Sequence, residues 1–260
     1  MKRRKSAGLV FLIFLAVTSL MNSSASAAVE FCNRTADDIK QQATDPEQRL
    51  SFANEGGLFN GGVCWWHSRF QRNSLYLAQY RPELEKPSRE AAFALIRSIR
   101  HFKVVEIPGY ENLAGFSSDF QDLIQTELNR WQLDDGVVGF AWIDGLEGKI
   151  KDVDPSVLKN EMDALFNRVV IQKEIVFQKL PLPGISAHAW LVIDMIPQES
   201  DYQVKVIDSN YPDETKTIYF HMGDTHIVMD YTGWTFIPEI DQLRDLPAIE
   251  ANLHAYCSSP

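Results

Sequence analysis

The sequence has few cysteines, a deficit of basic residues and no long apolar run beyond its first 27 positions. Its 25 lysines and arginines are outnumbered by 35 aspartates and glutamates, which gives a formal net charge of -10 at pH 7. An acidic surface lacks the cations that displace counterions from phosphate groups, so no nucleic acid partner is expected and anionic lipid is disfavoured. A positively charged substrate or partner would be attracted.

The N-terminal segment has the three parts of a secretory signal peptide. Residues 2–5 are basic (KRRK), residues 9–21 are almost continuously apolar, and residues 25–27 (ASA) supply the small side chains that a signal peptidase requires. The apolar run of about 13 residues is shorter than the roughly 20 that span a bilayer as a helix. We predict a signal peptide over residues 1–27, and a secreted or periplasmic mature chain with no membrane association.

The mature chain would carry three cysteines, Cys32, Cys64 and Cys257. An odd count leaves at least one thiol outside any intrachain disulfide. Cys32 and Cys257 lie near the two ends of the mature chain, and chain ends commonly lie close together on a domain surface. We therefore predict a Cys32–Cys257 disulfide, with Cys64 outside it.

Apolar residues recur with a helical period in the first half of the mature chain. The pattern is mostly helical over residues 35–99, and a further helix is predicted over about 117–131, capped by Ser117 or Ser118. Another helix should begin at Pro155, because Asp154 is a suitable N-cap and proline is favoured at the first helical position.

Short β-branched or aromatic segments separated by turn residues follow in the second half. Two of them, 188–196 and 202–207, should form an antiparallel hairpin closed by residues 197–201. The whole pattern predicts an α+β fold: one catalytic domain over 28–260, with a mainly helical lobe (about 28–135) packed on a mainly antiparallel β-sheet lobe (about 136–260). The predicted strands are 137–143, 175–180, 188–196, 202–207, 217–222 and 227–231.

The segment 60–67, Asn-Gly-Gly-Val-Cys-Trp-Trp-His, carries the first candidate for chemistry. Its two glycines allow a tight turn, and Cys64 then opens a predicted helix. The amides and dipole of a helix N-terminus favour a thiolate, which is the nucleophilic form of cysteine.

Two polar residues in the second half can complete such a site. His188 opens an apolar strand, and the neighbouring predicted strand ends in Asp208-Ser209-Asn210. Pairing of the two strands would bring residue 208 to the imidazole, where an acceptor can orient one ring nitrogen while the other faces the sulfur.

These residues resemble the papain-like superfamily of cysteine peptidases, whose nucleophile opens the first long helix, often followed by Trp. His188-Ala189 with an apolar continuation resembles the segment that carries the base, and a third residue ends the next strand. His188 and Asp208 follow Cys64 by about 124 and 144 residues, near the ~130 to 150 typical of that arrangement. The resemblance implies a papain-like fold, a Cys64–His188–Asp208 triad, a protein or peptide substrate and no cofactor.

The chain also departs from that family. Leu58 stands where papain-like enzymes carry an oxyanion-hole Gln, and the nearest amide side chains are Asn54 and Asn60. Asn60, together with the Cys64 backbone N–H, is the candidate oxyanion donor. The Asn-Ser-Trp-Gly signature is absent, and the residues from Asp208 resemble bacterial branches such as bacteriocin-processing, effector-type and transglutaminase-like enzymes. Asn210 is the alternative orienting residue.

Other polar and aromatic side chains have alternative assignments. His67 lies three residues after Cys64 on the predicted helix and is an alternative base. No pair of cysteine and histidine residues has a recognised metal-ligand spacing, so no metal is expected. The sequence predicts that four tryptophans, Trp65, Trp66, Trp190 and Trp234, pack the core and line the cleft between the lobes. The residues predicted to line the cleft are Trp65, Trp66, His67 and Trp190.

The leading function from sequence is an exported cysteine peptidase that acts through a thioester acyl-enzyme. The same triad would serve a transglutaminase or a cell-wall amidase, and a catalytically inactive binding or inhibitory module of the same fold is the further alternative. The sequence does not predict an oligomeric state.

Overall fold

The computed structural model describes residues 28–57, 62–135, 152–181, 187–240 and 245–258. The predicted signal peptide, the strand predicted over 137–143 and the candidate oxyanion residue Asn60 lie outside the described residues. Helices combine with an antiparallel sheet, as an α+β chain requires. Within the described ranges, no helix is long and apolar enough to cross a bilayer.

Most of the helical residues precede the large sheet, and a final helix follows it. Short 3-10 and π segments extend two of these helical regions. The α-helices are α1 (Ala36–Thr44), α2 (Cys64–Leu77), α3 (Arg89–Arg100), α4 (Leu113–Asp119), α5 (Gln121–Leu133), α6 (Pro155–Phe166) and α7 (Asp245–Cys257).

The largest sheet has five strands in the order β6-β5-β4-β3-β9, and every pairing in it is antiparallel. A two-stranded parallel ribbon, β1-β2, lies in the helical part, and β7-β8 form a separate antiparallel hairpin. The strands are β1 (Ala78–Arg81), β2 (Val105–Pro108), β3 (Val176–Pro181), β4 (Ala187–Gln198), β5 (Asp201–Asp208), β6 (Thr215–Phe220), β7 (Ile227–Met229), β8 (Trp234–Phe236) and β9 (Glu239–Ile240).

Two local predictions are confirmed. Asp154 caps α6, with its Oδ1 accepting a hydrogen bond from the Ser156 amide at 2.8 Å, and Pro155 is the first helical residue. The predicted hairpin is β4-β5, although its turn is tighter than expected, because Gln198 already pairs with Asp201. Glu199 in this turn has φ 56°, in the left-handed region.

The helix predicted over 117–131 is wrong in its start and its continuity. The chain forms α4 and α5, which are separated at Phe120 (φ -126°, ψ 27°). Asn112 provides the cap, accepting from the Gly115 amide at 2.8 Å. Ser117 is instead buried inside α4, where its hydroxyl bonds to Ser51, so it is not available as a cap.

The helical region predicted over 35–99 is interrupted by β1, which pairs with β2 in parallel. Both strands have four residues, too few for a period of two to stand out against the neighbouring helices. Phe102, with φ 58°, ends α3 in a turn that returns the chain toward β2.

Helix α2 lies between the helical core and the sheet. Its Trp66 and Phe70 pack in the helical core, whereas Leu75 and Leu77 pack on Ile175, Phe177 and the apolar residues of β4. A helix that is buried on two sides has little freedom to tilt or slide. The first residue of α2, Cys64, is therefore held in a fixed position relative to β4.

The C-terminal helix is fastened to α2 and to the N-terminal segment. Asp245, the first residue of α7, accepts hydrogen bonds from Arg69 (2.7 Å) and Arg72 (3.0 Å) of α2. At the other end of α7, Cys257 forms the predicted disulfide with Cys32. The disulfide prediction is confirmed.

Removal of this disulfide by a Cys32→Ser/Cys257→Ser double substitution should lower the free energy of unfolding by about 2–5 kcal/mol. The bridge joins positions 225 residues apart, so it restricts the unfolded chain strongly. The comparison is best made in a Cys64→Ser background, so that the third thiol cannot exchange with the bridge. Urea unfolding with equal midpoints in the two proteins would contradict this expectation.

Candidate functional site

Cys64 is the first residue of α2, and its side chain is largely buried, with 8% of the residue exposed. The preceding N-cap residue is Val63, which makes no side-chain hydrogen bond to the first turn. The backbone N–H groups of that turn therefore keep their positive end directed at the region of the sulfur. The sequence-based expectation that Cys64 opens a helix is met.

Asn54 joins the loop before α2 to the end of β5. Its Oδ1 accepts a hydrogen bond from the Val63 amide (2.5 Å), and its Nδ2 donates to Asn210 Oδ1 (3.1 Å). The backbone N–H of Asn54 also donates to the Ser209 carbonyl at 2.6 Å. Three hydrogen bonds thus tie the approach to Cys64 to the residues that follow Asp208.

The three hydrogen bonds of Asn54, called the Asn54 clamp below, require a glycine at position 62. Gly62 has φ 84°, and a Cβ added there would lie 2.5 Å from Asn54 Nδ2. Gly62→Ala should therefore destabilise the fold by about 1–3 kcal/mol and displace Asn54, which slows alkylation of Cys64. Urea unfolding and the iodoacetamide rate constant measure the two effects.

Gly223→Ala is the matched control, because Gly223 also has a positive φ (101°) but nothing lies within 4 Å of its added Cβ. It should show backbone strain of about 1–2 kcal/mol with no change in alkylation of Cys64. Equal alkylation rates in the two glycine variants would show that the Asn54 contact does not matter.

His188 is placed by the register of β4. Trp190 pairs directly with Asp208, so His188, two residues earlier, lies on the same face of the sheet and diagonally opposite Asp208. Two side chains of the first turns of α2 hold this end of β4. Trp65 Nε1 donates to the His188 carbonyl at 3.2 Å, and Ser68 Oγ donates to the Ala189 carbonyl at 3.3 Å.

Asp208 bonds to the imidazole of His188, with 2.7 Å between Nε2 and Oδ1. The same Oδ1 accepts from the Asn210 amide (2.8 Å), and Oδ2 accepts from the Tyr231 hydroxyl (2.6 Å). Burial alone would raise the pKa of Asp208, but these hydrogen bonds and the charge on His188 hold its pKa below the usual value. The carboxylate is therefore ionised at neutral pH.

The other side of the imidazole meets Cys64. Since Nε2 is engaged by Asp208, Nδ1 is the ring nitrogen that remains for the side-chain hydrogen bond between His188 and Cys64. Burial alone would lower the pKa of His188, but Asp208 and Cys64 raise it to about 10. Cys64, His188 and Asp208, called the triad below, thus form one hydrogen-bonded chain.

The structure distinguishes the two candidates for the residue that orients the His188 imidazole. Asp208 contacts the His188 ring, whereas Asn210 bonds to Asn54 through its side chain and to Asp208 through its backbone N–H. Asn210 therefore supports the carboxylate and the Asn54 clamp.

His67 and Trp190 are corrections to the predicted cleft. Both are almost completely buried. The His67 Nε2 contacts the Phe52 carbonyl at 2.9 Å, and burial lowers its pKa to about 4. An imidazole with so low a pKa is a weak base, and its Nε2 is engaged by the Phe52 carbonyl, so His67 does not fit the alternative role of base. Trp190 donates to Gln178 Oε1 at 2.6 Å and packs on Phe236 in the core of the sheet lobe.

Of the other predicted cleft residues, Trp65 is partly buried and lies beside β4, with Lys179 Nζ 4.8 Å from its ring centre. Trp66 is buried, and its Nε1 donates to Asp135 Oδ2 at 3.1 Å. Trp65 is thus adjacent to the triad, whereas Trp66 belongs to the helical core.

The β7-β8 hairpin supplies two residues to the site. The sequence predicted that Trp234 lies near the cleft, but it gave no indication of Tyr231. Trp234 is 43% exposed and meets the His188 ring edge to face, with 6.1 Å between the ring centres. Tyr231 bonds to Asp208. The predicted strand 227–231 ends at Tyr231, but the sequence has no signal that places this short hairpin over the His188–Asp208 pair.

A cavity of about 720 Å³ lies between residues 30–34, α1 and β1, and none of the triad residues lines it. The Arg34 guanidinium in its wall already donates to the carbonyls of Leu75 and Tyr76. The groups with the chemistry for acyl transfer are at the triad and not in this cavity.

No protein-family model matches the chain, and no curated protein or solved structure matches it either.

Proposed function

We propose that this chain is an exported cysteine peptidase of the papain-like type, with Cys64 as nucleophile, His188 as general base and acid, and Asp208 as the residue that orients the imidazole. The observation that carries the proposal is the continuous hydrogen-bonded chain from the Cys64 thiol through His188 to the Asp208 carboxylate. A nucleophile, a base and an orienting group in that order are the parts that acyl transfer through a thiol requires.

The first half of the reaction forms a thioester. In the resting pair the Cys64 proton resides on His188 Nδ1, in keeping with the raised pKa of that imidazole, and the sulfur attacks the carbonyl carbon of an amide. A carbon–sulfur bond forms, the carbon–nitrogen bond then breaks, and His188 gives its proton to the departing amine nitrogen. Asp208 remains ionised throughout and stabilises the imidazolium until that proton is given to the amine.

The second half releases the acyl group. Water takes the place of the departed amine, and its proton moves to His188 Nδ1 as its oxygen attacks the thioester carbon. The carbon–sulfur bond breaks, and the proton stays on His188. The products are a carboxylic acid, which then ionises in solution, and the restored Cys64–His188 pair.

The developing negative charge on the carbonyl oxygen needs hydrogen-bond donors near the sulfur. The backbone N–H of Cys64, at the first position of α2, is a suitable donor because the N–H groups of a first helical turn have no partner within the helix. Asn54 is not the second donor in this proposal. Its side-chain amide is already hydrogen-bonded to Val63 and Asn210.

An exported location is part of the proposal. It is supported by the basic and apolar N-terminal sequence and by the Cys32–Cys257 disulfide, because such bonds persist in oxidising compartments. The excess of acidic residues favours substrates that carry positive charge.

A positional peptide library with fluorogenic leaving groups tests the function directly, with Cys64→Ser as the matched inactive variant. Hydrolysis that depends on Cys64 supports a peptidase. Adding a primary amine separates the other acyl-transfer outcomes, since a transglutaminase would form a new amide instead of releasing a carboxylate. A folded wild-type protein that neither cleaves the library nor reacts with an epoxide peptidyl inhibitor would overturn the proposal.

A further inference from the structure

Asp208 has two oxygens with different partners. Oδ1 faces His188 and the Asn210 amide, whereas Oδ2 receives the hydroxyl proton of Tyr231 at 2.6 Å. Asp208 is almost completely buried. A buried carboxylate oxygen that loses its donor is strongly disfavoured, so the Tyr231 hydroxyl affects both the charge and the orientation of Asp208.

Tyr231 is itself held by its neighbours. Its ring meets that of Tyr211 edge to face, with 5.6 Å between the ring centres, and Lys216 Nζ lies 5.2 Å from the ring centre of Tyr231. Burial and the adjacent Asp208 charge raise the pKa of the Tyr231 hydroxyl well above its usual range. The hydroxyl therefore remains a donor at any pH at which the triad would work.

The hairpin that carries Tyr231 also carries Trp234, which contacts the His188 ring. The short segment from Tyr231 to Trp234 thus contacts both members of the His188–Asp208 pair.

We infer that Tyr231 is a positioning residue, which acts through Asp208 to hold the His188 imidazole in the orientation that serves Cys64. The inference rests on the proposed function, because it assigns a role within the same triad. Tyr231 does not touch the reacting atoms. Its loss should let the Asp208 carboxylate turn away from the imidazole and leave the thiol and the imidazole in place.

The test is Tyr231→Phe, which removes one oxygen and keeps the ring. Loss of a hydrogen bond to a charged group should lower kcat by about 10- to 100-fold and change KM by less than about 2-fold. Because Asp208 would stabilise the imidazolium less well, the basic limb of the pH profile of kcat/KM should move to lower pH, by about one pH unit.

Tyr211→Phe is the matched control, because the Tyr211 ring packs on Tyr231, and its hydrogen bond to Asp208 runs from backbone N–H to backbone carbonyl, which the substitution keeps. It should leave kcat and the pH profile unchanged. If Tyr231 were only a packing residue, the two phenylalanine variants would behave alike. That result would overturn the inference and leave the proposed function standing.

An NMR titration of the ¹⁵N-labelled imidazoles gives a readout that does not need turnover. The His188 resonances are assigned by their loss in His188→Gln. We expect the His188 pKa to be lower in Tyr231→Phe than in the wild-type protein or in Tyr211→Phe. An unchanged His188 pKa would overturn the positioning role whether or not the wild-type protein cleaves peptides, and absence of turnover would count against the proposed function alone.

Discussion

Peptide hydrolysis should be lost when Cys64 is replaced by alanine, with a fall in kcat of about 10³-fold or more. Cys64 Sγ is the atom that would form the thioester, and no neighbouring side chain replaces it. His188, the proposed base, and Asp208, the proposed orienting residue, remain in Cys64→Ala, but neither can replace the sulfur as nucleophile. Steady-state kinetics on the best library peptide measures the effect.

Cys64→Ser separates loss of chemistry from loss of structure. It keeps a hydrogen-bonding side chain at the start of α2, so its urea unfolding midpoint should lie close to that of the wild-type protein. Trapping provides a second check, because an epoxide peptidyl inhibitor should add its mass at residue 64 and not at the disulfide-bonded Cys32 or Cys257. Retained hydrolysis in a folded Cys64→Ala protein would exclude the thioester mechanism.

Asp208→Asn should lower kcat by about 10²- to 10⁴-fold, because an amide cannot stabilise the imidazolium and can favour the wrong ring tautomer. Asp208 lies 2.7 Å from His188 Nε2 and helps to raise the His188 pKa to about 10. Replacement of the carboxylate should therefore lower the His188 pKa. The basic limb of the pH profile of kcat/KM should therefore move to lower pH.

The same group affects stability with a defined sign. A folded-state pKa of about 10 for His188, above the ordinary value of 6.5, contributes stability that is fully present below pH 6.5 and lost as the pH rises through 10. The unfolding free energy of the wild-type protein should fall over that range, and Asp208→Asn should show a smaller fall. Asn210→Ala is the neighbouring control, since its side chain does not contact the ring and its backbone N–H to Asp208 is retained. An equal fall of the unfolding free energy with pH in the wild-type protein and in Asp208→Asn would contradict the role of the carboxylate.

Some parts of the site could be predicted because their signals are local. Asp154-Pro155 marks a helix start by its own capping chemistry, and short segments rich in β-branched or aromatic residues mark the strands of the β4-β5 hairpin. Antiparallel pairing of the two strands then brings His188, near the start of the first strand, close to Asp208, at the end of the second. The detailed register was not predictable, because a bulge between Val192 and Asp194 shifts the pairing.

Other parts depend on contacts between distant segments. Asn54 acts through Val63 and Asn210, and Tyr231 acts through Asp208, yet neither residue lies in a motif. The break between α4 and α5 at Phe120 follows from packing of its ring on Tyr110 and Phe116, which a helical period does not show. Tertiary packing decided these features over local preference.

The rate constant for iodoacetamide alkylation of Cys64 at pH 7, compared between the wild-type protein and His188→Ala, tests the pairing of thiol and imidazole most directly. Mass mapping of the native, disulfide-bonded protein identifies the modified residue, and the urea midpoint confirms that both proteins are folded. If His188 accepts the Cys64 proton, the wild-type rate constant should exceed that of the variant by about 10-fold or more. Equal rate constants, or a Cys64 that is inert in both folded proteins, would contradict the triad.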